Sequence, residues 1–173
     1  MEIDMIKSNL IMIGMPSSGK TTVGSILSDK TGKSFLDTDH LLQEITGLSP
    51  KEYVMSYGLD KFLEVQETAI LGITGQNSVI ATGGGVIYNN KAMEHLKKAG
   101  IVIYLKADFE ILESRVGKDR KLARRDGKSF YDVYLERMPL YEKYGDIIIE
   151  CEEKLSSEIA DEIINTIYKN NTF

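Results

Sequence analysis

The sequence predicts an α/β protein built on a doubly wound parallel sheet. Three observations carry that expectation. Short apolar runs without polar alternation recur along the chain, the pattern of strands covered on both faces. Stretches with helical spacing separate them, so strand and helix alternate. A glycine-rich loop lies between the first apolar run and the first helical stretch.

Taken in order, Leu10-Ile11-Met12-Ile13 is the first strand, long enough to be buried in a sheet and far too short to span a bilayer. The next helix covers Thr22–Lys30, with Val23, Ile26 and Leu27 on one face. Ser34-Phe35-Leu36 is a weaker strand, and residues 40–76 read as a helical insertion. Val79–Ala81 is a third strand, followed by three glycines. A helix over Asn89–Ala99 ends at Gly100 in the C′ position, and Ile101–Leu105 is the fourth strand. Asp108 is placed to cap a helix running through Ile111, Leu112 and Val116. Residues 117–128 hold six basic residues and little apolar content, so they read as a mobile basic loop. Ile147–Ile149 is the last strand, and Ser156 is placed to cap a final helix whose buried stripe is Ile159, Ile163, Ile164 and Ile167. No repeat, low-complexity tract or linker divides residues 1–173, so one domain is expected.

Composition narrows the partners. With 21 Lys+Arg against 26 Asp+Glu the net charge is −5, which argues against general binding to nucleic acid or an anionic membrane. Hydrophobic residues at 42% and charged residues at 27% suit a folded globular chain. One cysteine, Cys151, excludes an internal disulfide framework, and with only His40 and His95 a histidine-rich metal site is not expected. Glu2 and Asp4 give the start the wrong charge for a secretory leader. A reducing, cytoplasmic compartment and a monomer are the expectations.

Four segments carry chemistry. Gly14-Met-Pro-Ser-Ser-Gly-Lys20-Thr21 fits G-x-x-x-x-G-K-[ST] in full, directly after a strand and before a helix. Its backbone N–H groups and the positive end of the following helix favour phosphate oxygens. Lys20 adds a point charge for the β- and γ-phosphates, and the Thr21 hydroxyl is a ligand for Mg²⁺. Asp37-Thr38-Asp39 places two carboxylates at i and i+2, on one side of an extended segment. They suit a metal and an acceptor hydroxyl, or alternatively the N-cap of a helix starting near His40. Gly83-Gly84-Gly85 allows a ligand close approach to the backbone, where an ordinary turn would not need three glycines. Arg137 is either a surface arginine or a bidentate partner for a carboxylate.

In this order and spacing, these segments resemble the shikimate kinase family of small P-loop kinases, with a nucleoside-monophosphate-kinase-like fold. The resemblance extends from about Leu10 to the final helix, and its selective points include Arg137 with Pro139-Leu140-Tyr141. It implies a three-layer P-loop kinase fold with a five-stranded parallel sheet, a substrate-binding insertion over about 40–76 and a mobile lid over about 117–128. The implied reaction is ATP-dependent phosphorylation of the 3-hydroxyl of shikimate, a step toward chorismate and the aromatic amino acids. Implied ATP contacts are Pro16, Ser17, Ser18, Gly19, Lys20, Thr21 and Thr22, with Arg115 near the adenine and Arg120 on the transferred phosphoryl group. Mg²⁺ is the implied cofactor, held by Thr21 and, through water, by Asp37. Asp39 is the implied contact to the acceptor hydroxyl, Gly83, Gly84 and Gly85 line its pocket, and Arg137 pairs with its carboxylate. Lys20, Asp39 and Arg120 are thus the implied catalytic residues.

The chain departs from the family in its Phe-Arg-x-x-Glu motif. Phe62 is followed by Leu63, and Gln66 stands at the glutamate position, with Glu67 one place later. The lid proline is Lys121. A second arginine for the acceptor carboxylate is therefore absent. Three consequences are open: weaker binding of shikimate, substitution by Lys61 or a lid residue, or a different hydroxylated acceptor. A nucleotide-binding protein without kinase activity fits less well, because Lys20, Thr21, Asp37 and Asp39 are all present.

Overall fold

A computed structural model describes residues 9–116 and 127–170. The chain order is β1 (Asn9–Ile13), α1 (Lys20–Thr31), β2 (Ser34–Asp37), α2 (Thr38–Thr46), α3 (Pro50–Tyr57), α4 (Leu59–Leu71) and β3 (Ser78–Ala81). A short 3₁₀ helix (Gly84–Tyr88) then leads to α5 (Asn90–Ala99), β4 (Gly100–Lys106), α6 (Phe109–Arg115), α7 (Phe130–Tyr144), β5 (Ile147–Glu150) and α8 (Ser156–Asn170).

The five strands form one sheet in the order β2-β3-β1-β4-β5, and every neighbouring pair is parallel. Each residue of β1 is buried, as expected for the central strand of a three-layer α/β fold. α1 packs on α8 and β3, while α5 and α7 pack on β4. The edge strands read differently: β5 alternates buried and exposed residues, and β2 has no fully buried residue. That is why the apolar signal at Ser34–Leu36 is weak in the sequence. Ile159 and Ile163 of α8 lie in the main core, with Ile164 and Ile167 packed against it.

The helical insertion is three helices. α2, α3 and α4 pack on one another and share a small second core of Leu42, Phe62 and Ala69. Ser49 and Glu52 close a capping box at the start of α3, with Pro50 in its first turn.

Several local expectations are corrected. Asp37 and Asp39 do not share a strand: β2 ends at Asp37, and Asp39 lies in the first turn of α2. Gly100 takes no left-handed cap conformation; its φ is −171°, and it opens β4 directly. A side chain there would collide with the Asn9 carbonyl of β1, so the glycine serves strand approach. Asp108 sits at the N-cap of α6 without a side-chain capping bond, and its carboxyl instead faces Glu152, holding that carboxyl above its usual range. Ser156 lies inside α8; the cap position is Leu155, whose N–H donates to Glu158 Oε2 at 2.7 Å.

Candidate active site

Parallel strands present their C-terminal ends at one edge of the sheet. β1 therefore delivers the glycine-rich loop, β2 delivers Asp37 and β3 delivers Thr82–Gly85 to the same edge. The strand order reverses direction around β1, the position where open α/β sheets bind ligands. A cleft of 1270 Å³ opens there.

One end of the cleft is the phosphate loop. Ser17 (φ 67°) and Gly19 (φ 96°) take left-handed conformations that curl the backbone into α1. Lys20 is buried, and its Nζ donates to the Gly14 and Met15 carbonyls at 2.8 Å each, so the ammonium is held against the loop. The Ser18 backbone N–H closes a turn onto the Met15 carbonyl, and its buried hydroxyl has no hydrogen-bond partner among the described residues. Pro16, Ser17, Gly19, Lys20, Thr21 and Thr22 line the cleft. Arg115, at the end of α6, lines it too and donates to the Ser17 carbonyl at 3.4 Å. Arg120 and residues 117–126 of the expected lid lie outside the described residues.

Asp37 is both cap and site residue. Its Oδ1 accepts from the Asp39 and His40 backbone N–H groups, and its Oδ2 accepts from the Thr21 hydroxyl at 2.9 Å. The two readings of this segment are therefore compatible: capping fixes the carboxylate while its second oxygen faces the phosphate loop. Thr21 and Asp37 form an all-oxygen pair, the donor chemistry Mg²⁺ takes. No cluster of three or more His, Cys, Asp or Glu suited to a metal exists among the described residues.

The other end is built on Gly83–Gly85. The Gly83 N–H donates to the buried Thr38 hydroxyl at 3.1 Å, tying this segment to the start of α2. A methyl group at Gly83 would lie 2.7 Å from Asp39 Oδ1, and one at Gly84 would lie 2.9 Å from Pro16 Cδ and 3.0 Å from an Arg137 nitrogen. The glycines thus let Asp39, Pro16 and Arg137 converge on one backbone segment. Asp39, Gly83, Gly84, Gly85 and Arg137 all line the cleft.

Arg137 is not a surface residue. It is 1% exposed, its Nε donates to the Tyr88 hydroxyl at 3.3 Å, and its guanidinium lies 5.2 Å from the Tyr88 ring centroid. The Tyr88 hydroxyl in turn donates to Glu136 Oε1 at 2.5 Å, and Glu136 also pairs with Lys128. The Lys128 and Tyr88 hydrogen bonds hold the Glu136 carboxyl below its usual range. Tyr141, one turn further along α7, donates to the Gly84 carbonyl at 2.6 Å. Burial pushes its hydroxyl up to about 12, against the opposing effect of Arg137, so it remains a donor at neutral pH.

Besides the motif positions Phe62 and Gln66, the insertion contributes residues that sequence reasoning did not single out. Ser49, Pro50, Lys51, Val54 and Met55 of the α3 region line the cleft, with Phe62 and Gln66 of α4. The Ser49–Glu52 capping box was a readable signal for α3, but not for which face meets the cleft. Leu63 packs on the small core and is not among the lining residues. Lys61, weighed as a substitute cation, is also off the cleft and pairs with Glu64 at 2.9 Å.

A nucleotide loop and an arginine-anchored polar pocket within one cleft, on a five-stranded parallel α/β sheet, define a small-molecule P-loop kinase. The family described as "Shikimate kinase" matches residues 16–168. The chain belongs to the shikimate kinase family. It is 34% identical over 161 residues to a shikimate kinase of Thermodesulfovibrio yellowstonii, covering 90% of this chain and 92% of that protein. The solved shikimate kinase of Acinetobacter baumannii in complex with shikimate superposes with a TM-score of 0.88 at 28% identity, covering 96% of both chains. Threonine synthase-like 1 of Homo sapiens is 34% identical over 164 residues, which is 92% of this chain but 22% of that longer protein. No helix among the described residues is long and apolar enough to cross a membrane.

Proposed function

We propose that this chain transfers the γ-phosphoryl group of ATP to the 3-hydroxyl of shikimate. The observation that carries the reading is that one cleft holds both ends of such a reaction. Lys20 and Thr21 lie on its phosphate loop, and Asp39 and the buried Arg137 converge on Gly83–Gly85. Membership of the shikimate kinase family and the likeness to a shikimate-bound relative support the acceptor.

In this reading the loop backbone and Lys20 hold the β- and γ-phosphates, and Arg115 lies beside the nucleotide. Thr21 and Asp37 are the residues that would hold Mg²⁺, which when bound neutralises charge on the phosphates. Arg137 takes the acceptor carboxylate, orienting the ring so that its hydroxyl reaches Asp39. The hydroxyl oxygen forms a bond to the γ-phosphorus as the bond to the β–γ bridging oxygen breaks. Asp39 takes the hydroxyl proton, and ADP leaves. Arg120 is our choice for the charge on the transferred group; normal turnover by Arg120→Ala would remove it from the mechanism.

A second acceptor remains in view on one observation: neither Leu63 nor Lys61 lines the cleft, and Lys51 is the cation that α3 brings to it. ATP consumption measured against shikimate, quinate, sugar acids and cyclitols decides between them. Turnover with shikimate far above the others is expected. A different acid turned over readily, with shikimate inert, overturns the assignment.

A further inference from the structure

Gln66 lies on α4, 1% exposed, and neither its Oε1 nor its Nε2 has a hydrogen-bond partner among the described residues. Buried amides left with both polar atoms unpaired are rare in folded proteins. This one borders the cleft, and its Nε2 lies 3.2 Å from the position a Gly83 methyl would take, the same point that Asp39 Oδ1 approaches at 2.7 Å. The amide and the carboxylate thus flank one glycine at the acceptor end.

The chemistry of the pair restricts what fits. A carboxamide needs a partner that accepts from its N–H and one that donates to its carbonyl oxygen. A carboxylate only accepts and an ammonium only donates, whereas a hydroxyl does both. The neighbouring Leu63 offers no charge that would call for an ion at position 66. We propose that Gln66 is a specificity-determining residue that hydrogen-bonds a second acceptor hydroxyl, next to the one Asp39 holds, so that the site selects vicinal diols. This rests on the shikimate reading for the identity of the acid, but not for the diol.

The test is a cycle of two proteins and two acceptors: wild type and Gln66→Met, each with shikimate and with the analogue lacking the 4-hydroxyl. The wild type should prefer the full diol by about tenfold or more in kcat/KM, as sites built around a substrate hydroxyl do. Gln66→Met should bring the two acceptors to near equality and leave the KM for ATP unchanged. Its Tm without ligands should equal or exceed that of the wild type, because two unpaired buried polar atoms are removed. Gln66→Leu carries the same readout if the methionine variant folds poorly. Retention of the wild-type preference overturns the proposal whatever the Tm; an internal water bound to the amide would give that result. If the wild type phosphorylates neither acid, the shikimate assignment falls by itself, and the cycle is read with the acceptor it does use and that acceptor's deoxy analogue.

Discussion

The Thr21 hydroxyl donates to Asp37 Oδ2 at 2.9 Å, linking the first turn of α1 to the residue that caps α2. The bond brings the Thr21 hydroxyl, at the end of the glycine-rich loop, and the end of β2 to one point, and it divides the contacts of Asp37 between its two oxygens.

That division separates Asp37→Asn from Asp37→Ala. Asparagine caps helices about as well as aspartate, so Asp37→Asn should melt near the wild type, while Asp37→Ala should lose about 1 kcal/mol. Both variants should need roughly tenfold more Mg²⁺ for half-maximal turnover, because the charge is gone in each. Thermal melts and Mg²⁺ titrations of kcat measure the two effects independently; an unchanged Mg²⁺ requirement in both would confine Asp37 to capping.

Gly83→Ala probes the acceptor end. The added methyl would lie 2.7 Å from Asp39 Oδ1, so the carboxylate must move. Displacement of a reacting group by about 1 Å costs on the order of a hundredfold in rate. The kcat should therefore fall by that order with ATP affinity intact by calorimetry, and near-normal kcat would show that Asp39 has no fixed position in the reaction.

Arg137 and Tyr88 should act on the acceptor alone. Arg137→Lys removes the planar fork from a site 1% exposed, and the KM for the acceptor should rise about tenfold or more while the KM for ATP holds. Tyr88→Phe removes the hydroxyl that meets Nε at 3.3 Å and should cause a smaller rise of the same kind. Equal changes in both KM values would place Arg137 outside acceptor binding.

Cys151 sets a pH dependence of stability. Burial pushes its thiol up to about 12, whereas an unfolded thiol titrates near ~8.5. Between those values the unfolded chain has lost the proton that the folded one keeps, so stability falls as pH rises through this window and is unaffected below it. Urea unfolding from pH 7 to 11 should show a steeper alkaline loss for the wild type than for Cys151→Ala. The folded thiol should also resist alkylation at pH 8, and parallel pH profiles for the two proteins would contradict the burial argument.

Much of the architecture was legible because the relevant forces are local. Leu10–Ile13 reads as a buried strand from four consecutive apolar residues, and Gly14–Thr21 reads as a phosphate loop because its glycines and Lys20 occupy a short, fixed spacing. Corrections cluster where a residue's role depends on a distant neighbour. Gly100 looks like a helix cap until the Asn9 carbonyl of β1 is beside it, and Asp108 looks like a cap until Glu152 is.

By itself, then, the sequence determined the parallel α/β class, the glycine-rich loop between strand and helix, and the residue types that meet around Gly83–Gly85, since hydrophobic period and loop chemistry act over a few neighbours. Only the tertiary structure decided that Arg137 is buried against Tyr88, that Asp37 caps and faces Thr21 at once, and that Gln66 rather than Leu63 borders the cleft. These outcomes depend on how α4 and α7 turn against the ends of the strands. That rotation follows from side chains meeting across tens of residues of chain, which no local pattern encodes.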